Sequence, residues 1–173
     1  ALAADVDLLI NNAADTAGGN LVTGDMDGIR STLDSNYYGT LAMIRAFAPI
    51  LARNGGGAIL NVLSAVAWTP VEGNTAYAAA KSAQWGLTNG VRIELADQGT
   101  QVSALVPGLI GTQTLFDFAE RHGIEFADGV VMDPADLVRL ALDGLEAGEI
   151  EILDAMAVDA KASLAGPPRA FAL

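Results

Sequence analysis

The sequence predicts an α/β fold of three layers, a parallel sheet covered by helices on both faces. Three observations carry that expectation. Short apolar runs alternate with longer stretches of helical spacing along the whole chain. The runs are continuously apolar rather than alternating, as strands buried on both faces must be. Gly, Pro and Asn clusters punctuate every change from one pattern to the other.

Residues 6–10 (VDLLI) form the first apolar run and halt at Asn11-Asn12, which predicts a buried strand. A loop rich in Gly and Thr follows, from Ala14 to about Gly24. Asp27 reads as an N-cap, and apolar residues then recur at Ile29, Leu33, Tyr37, Leu41, Ile44, Phe47 and Leu51. That spacing predicts one long helix, stopped by Asn54-Gly55-Gly56-Gly57. Residues 58–63 (AILNVL) are the second strand, and after the Thr69-Pro70 break residues 74–95 carry a long helical pattern. The third strand, 101–106 (QVSALV), ends at Pro107-Gly108. A loosely patterned insert with Phe116, Phe118 and Phe126 precedes a helix over 134–146, opened by Asp133-Pro134. A short strand at 150–153 and a Pro-rich tail without pattern complete the chain, which reads as a single domain over 1–173.

Composition bounds what such a chain does. Of 173 residues, 51% are hydrophobic and the mean hydropathy is +0.36, which excludes an intrinsically disordered protein. No apolar run reaches the ~18 residues of a membrane span; residues 41–51 are interrupted by Arg45 and Pro49. Nine basic residues stand against 21 acidic ones, a net charge of −12 that lacks the basic footprint nucleic acid requires. Zero cysteines and one histidine, His122, point to no metal site and fit a reducing, cytoplasmic setting. No signal-like leader opens these residues.

In parallel sheets ligands sit outside the carboxyl ends of the strands, where this sequence places Asn12, Ser64 and Pro107-Gly108. Tyr77 and Lys81 lie four apart on the helix of residues 74–95, so their side chains share a face. An ammonium beside a phenol favours the phenolate, and a phenol tuned that way exchanges a proton near neutral pH, as carbonyl reduction or alcohol oxidation requires. Taken alone, so short a pattern reads first as an exposed helical pair without a role. Ser64 closes the second strand thirteen residues before Tyr77, where its hydroxyl can meet a carbonyl oxygen. Asn36 falls on the buried face of its helix and reads equally as a structural asparagine bonded to backbone. Asn11-Asn12-Ala13-Ala14 alone is merely a turn.

Together these residues resemble the short-chain dehydrogenase/reductase family. The matches are Asn11-Asn12-Ala13-Ala14, Asn36, Ser64, the Tyr77-x-x-x-Lys81 pair and Pro107-Gly108-Leu109-Ile110-Gly111-Thr112, in the family's order and spacing. The resemblance runs to about Leu153 and implies a Rossmann-like, doubly wound sheet, of which this chain holds the fourth to seventh strands. It implies an NAD(P)-dependent oxidoreductase interconverting a small alcohol and its ketone or aldehyde, with the hydride carried by the nicotinamide. Tyr77 would be the general acid/base. Lys81 would lower its pKa and hold the nicotinamide ribose. Ser64 would polarise the substrate carbonyl, and Asn36 would hold a water linking Lys81 to solvent. Asn12, Ala13 and Ala14 would pass the adenosine-side ribose, while Pro107, Gly108, Ile110 and Thr112 would cradle the nicotinamide. A homo-oligomer formed through the helices of Asn36 and Tyr77 is also implied.

Two departures accompany the resemblance. Ala14 stands where the family carries glycine, which costs roughly 1–2 kcal/mol if that position requires a positive φ. The family's opening turn, T-G-x-x-x-G-x-G, has no counterpart among these residues: Gly18-Gly19 and Gly24 follow the wrong strand, and Gly55-Gly56-Gly57 ends a helix. The pyrophosphate contacts and the residue that selects NAD or NADP are therefore not in this text, so these 173 residues by themselves are expected to bind a dinucleotide poorly. A catalytically silent binding module on the same scaffold is the alternative reading. A serine hydrolase is a third, but Leu63-Ser64-Ala65 is not G-x-S-x-G, and its one base would be His122.

Overall fold

The structure, a computed structural model, describes residues 3–167. Four parallel strands lie in the order β1-β2-β3-β4: β1 (Leu8–Asn11), β2 (Gly57–Val62), β3 (Thr100–Val106) and β4 (Glu151–Leu153). Sequential strands are spatial neighbours throughout, with Leu9 opposite Ile59, Ile59 opposite Val102, and Leu105 opposite Ile152.

Helices cover both faces. Leu9, Ile59 and Val102 point to one side and pack with Ile44 and Leu51 of α2 (Thr40–Arg53) and Val91 of α3 (Thr75–Glu94). Leu60, Leu105 and Ile152 point to the other side, against Ala141 of α5 (Pro134–Glu146). The expected three layers are present, and each continuous apolar run is divided by the pleat between two cores. Gly144 lets α5 sit close, since a Cβ there would meet the Ile152 side chain at 2.7–3.0 Å. The turn into β2 depends on Gly57 at φ 147°, where a Cβ would run into the Asp7 carbonyl.

Several boundaries differ from the sequence reading. The first strand begins two residues later and includes Asn11. The N-cap of the first helix, α1 (Met26–Leu33), is Asp25, whose carboxylate accepts from the Gly28 N–H; Asp27 instead pairs with Arg30 at the surface. The predicted single helix is interrupted between α1 and α2 by a π-helical segment, Asp34–Gly39. The insert after β3 contains α4 (Gln113–His122), capped by the Thr112 hydroxyl. The patternless tail holds α6 (Ala155–Ala162), capped by Asp154, and residues 168–173 lie outside the described ones. Among the described residues, no helix is long and apolar enough to cross a membrane.

Candidate active site

The carboxyl ends of β1, β2 and β3 open into one cavity of about 590 Å³. Ser64, Tyr77, Lys81, Asn12, Ala13, Ala14, Pro107, Gly108, Ile110 and Thr112 all line it. Asn36 is the one sequence-predicted site residue outside that lining; it is fully buried behind it. Val66, Val71, Leu109, Leu115 and Phe118 supply apolar wall.

Each polar group is held by its element. Ser64 follows β2 in extended backbone and accepts from the Val66 N–H at 3.4 Å, capping a short turn over Ala65–Ala67. Lys81 is 1% exposed. Its Nζ donates to the Val62 carbonyl and to Gln84 Oε1, both at 2.8 Å, and lies 5.5 Å from the centre of the Tyr77 ring. Asn36 Nδ2 donates to the carbonyls of Asp15 (2.7 Å) and Thr32 (2.8 Å), which pins the loop after β1 onto the π segment. The Asn36 amide nitrogen is thus bonded to backbone, while its buried Oδ1 has no partner among the described residues. Beyond β3, the Gly108 N–H donates to Asp154 Oδ2 at 2.7 Å, and Asp154 Oδ1 caps α6 through the Ala157 N–H at 2.8 Å. Asp154 therefore fixes the cavity's Pro107-Gly108 wall, a role that sequence reasoning missed.

The electrostatics reverse one expectation. Burial pushes the Tyr77 phenol above its ordinary range and pushes Lys81 down from 10.5 to about 7. Removal of water around each group is the cause of both shifts, so Tyr77 does not sit below an ordinary phenol. Ala14 carries no strain of the kind its departure suggested, because no non-glycine among the described residues has a positive φ.

The aromatic residues divide. Phe118 reaches the cavity, whereas Phe116 is 49% exposed and Phe126 lies outside the lining. Trp68 is buried edge-on against Trp85 at 6.0 Å and anchors the core beside α6, away from the cavity. His122 stacks on Phe118 at 4.3 Å, is likewise outside the cavity lining, and forms no hydrogen-bonded pair with Ser64. Asn74, at the start of α3, lines the cavity with a buried Oδ1 that has no partner among the described residues.

Comparison with known proteins matches residues 1–122 to the family described as short chain dehydrogenase. An uncharacterized oxidoreductase of Staphylococcus saprophyticus is 28% identical over 141 residues, 82% of this chain and 58% of the relative. The chain thus spans under three-fifths of that relative's length. A short chain dehydrogenase of Burkholderia cenocepacia, solved in complex with NADP, superposes with a TM-score of 0.83 at 34% identity, over 95% of this chain and 68% of that one. The bulky-bulky ketone specific alcohol dehydrogenase of Comamonas testosteroni gives 0.73 at 26% identity, over 98% of this chain and 67% of that one.

Proposed function

Since the chain belongs to the short-chain dehydrogenase/reductase family, we propose that it serves an oxidoreductase that interconverts a small alcohol and its ketone or aldehyde, with Tyr77 as general acid and base. The observation that carries this reading is the convergence of Ser64, Tyr77 and Lys81 on one cavity at the strand ends.

The residues present fit the nicotinamide and ribose part of a dinucleotide. Lys81 and Tyr77 offer polar contacts, and Pro107, Gly108, Leu109, Ile110 and Thr112 supply a partly apolar stretch of the same lining. The NADP in the Burkholderia relative supports a nicotinamide dinucleotide, NAD or NADP, as cofactor. When bound, that group supplies or accepts the hydride.

The chain's own residues handle the proton. In reduction, the Tyr77 O–H donates to the carbonyl oxygen as it gains negative charge, and the Ser64 hydroxyl donates to the same oxygen. Lys81, fixed by Val62 and Gln84, stabilises the phenolate left behind. In oxidation the phenolate accepts the alcohol proton. Val66, Val71, Leu115 and Phe118 favour an uncharged, apolar substituent on the substrate and exclude water from the reacting atoms. The ketone specificity of the Comamonas relative supports that substrate class.

The test is turnover of the natural full-length protein with NADH and NADPH against a panel of ketones and aldehydes. Tyr77→Phe is expected to lower kcat by about 10²–10⁴-fold with an unchanged unfolding midpoint. A Phe variant with near-normal turnover overturns the role of Tyr77. Dinucleotide binding without turnover of any carbonyl favours the silent-module alternative.

A further inference from the structure

One buried side chain at the site matched none of the expected motifs. Gln84, one turn beyond Lys81 on α3, is fully buried and accepts from Lys81 Nζ at 2.8 Å through Oε1. Its Nε2 donates to Thr40 Oγ1 at 2.9 Å, and the Thr40 hydroxyl donates to the Asn36 carbonyl at 2.9 Å. Chemistry fixes the direction of this chain. An ammonium only donates, so Oε1 must face it; Nε2 must then donate onward; and the Thr40 proton is left for the carbonyl. A second arm braces the same turn of α3. Thr88 Oγ1 donates to the Gln84 carbonyl at 2.7 Å, Asn61 Nδ2 donates to Thr88 Oγ1 at 3.0 Å, and Asn11 Nδ2 donates to Asn61 Oδ1 at 2.8 Å.

We propose that Gln84 is a positioning residue for proton transfer: its carboxamide holds the Lys81 ammonium beside Tyr77 and ties it, through Thr40, to the Asn36 carbonyl. This rests on the reading of Tyr77 and Lys81 given above. The linkage runs from α3 through the Gln84 and Thr40 side chains to the backbone of the π-helical segment, so Lys81 is held in place by a strut within the protein. A buried ammonium needs acceptors to stay charged, and Gln84 supplies one of the two that Lys81 has. An aliphatic side chain at position 84 would fill the same space and supply none.

Few other charges reach Lys81. Tyr77 and Asp15 are the other titratable residues lining its cavity, and the Asp15 carboxylate is engaged by Ser31 and the Ala17 N–H. Of the elements packed on α3, α1 bears the exposed Asp27–Arg30 pair. The π segment bears the exposed Asp34 and Tyr38 and the half-buried Tyr37, the turn over Ala96–Gln98 bears the exposed Asp97, and β3 and the turn over Ala65–Ala67 carry no charge.

The ionisation of Lys81 can be read without turnover. In full-length protein labelled with ¹³C at lysine Cε, the signal lost in Lys81→Arg identifies Lys81, and pH titration follows its ionisation. In Gln84→Leu the proton affinity of Lys81 is expected to fall about tenfold, the scale of one charge-assisted hydrogen bond. Gln84→Glu should raise it, and Thr40→Val should lower it by less than Gln84→Leu does. The pH profile of kcat should move with the titration. A Lys81 midpoint unmoved in folded Gln84→Leu overturns the proposal. If that variant does not fold, an unmoved midpoint in both Gln84→Glu and Thr40→Val does the same. A wild-type protein without carbonyl turnover refutes the oxidoreductase reading while the titration still decides the role of Gln84.

Discussion

Lys81 imposes a pH dependence on folding whose size follows from its surroundings. Burial lowers its pKa from 10.5 to about 7 in the folded protein, whereas in the unfolded chain it titrates as an ordinary lysine. Between those values the unfolded state binds a proton that the folded state does not. A depressed folded pKa gives a contribution that is complete above the unfolded value and is lost as pH falls through the folded one. Stability therefore rises with pH by up to about 1.4 kcal/mol per pH unit, roughly 3–4 kcal/mol between pH 7 and 10. Little else titrates in that window. The Tyr77 phenol, held above its ordinary range by burial, opposes the rise only as pH approaches 10, where the unfolded chain begins to lose its phenolic proton. Urea unfolding at successive pH values, read by the fluorescence of Trp68 and Trp85, measures the slope. In Lys81→Met the slope should vanish. A wild-type profile as flat as that of the Met variant would refute the reasoning and show that the ammonium keeps its proton in the fold.

Other expectations follow from single contacts. Asn61→Ala strips Asn11 and Thr88 of a buried partner and should destabilise by roughly 2–4 kcal/mol, seen as a lower urea midpoint. Gly144→Ala puts a methyl group into the Ile152 side chain and should cost about 1–3 kcal/mol in the same assay. Ser64→Ala should lower kcat by about 10²–10³-fold while leaving the unfolding midpoint nearly unchanged, since the hydroxyl makes only a long contact at 3.4 Å.

Elements that carried both a periodic core and a strong terminus were legible in the sequence. Helix α5 starts and ends where Asp133-Pro134 and the apolar spacing placed it, and the third strand gained only Thr100. The π segment was not legible, because six residues of wider winding barely disturb a 3.6-residue period averaged over twenty-five. Helix α6 escaped because half of Ala155–Ala162 is alanine and the segment offers no stripe to detect, although Asp154 was a readable cap. At the site, Tyr77, Lys81 and Ser64 were found through their spacing. The depth of burial was not, and burial reverses the expected direction of the Tyr77 pKa. Gln84 was illegible for a related reason: its partners lie 44 residues away on α2 as well as one turn away on α3.

The asparagine pair at the strand ends also bears on how the sheet finds its alignment. The apolar segments LLI and AIL are nearly interchangeable hydrophobes, and sliding one along the other by two residues would keep every side chain on its proper face. Greasy contact alone therefore barely distinguishes the correct alignment from its shifted neighbour. Asn11 and Asn61 face one another as direct partners and are bonded at 2.8 Å, so a slip would leave Asn11 Nδ2 and Asn61 Oδ1 buried without each other. At about 1–3 kcal/mol for each abandoned amide, the pair works like an alignment pin, rejecting misthreaded sheets that hydrophobicity would tolerate. Asn61 sits on the strand that leads into Ser64, so the strand aligned by this pin is also the one that carries the hydroxyl to the cavity.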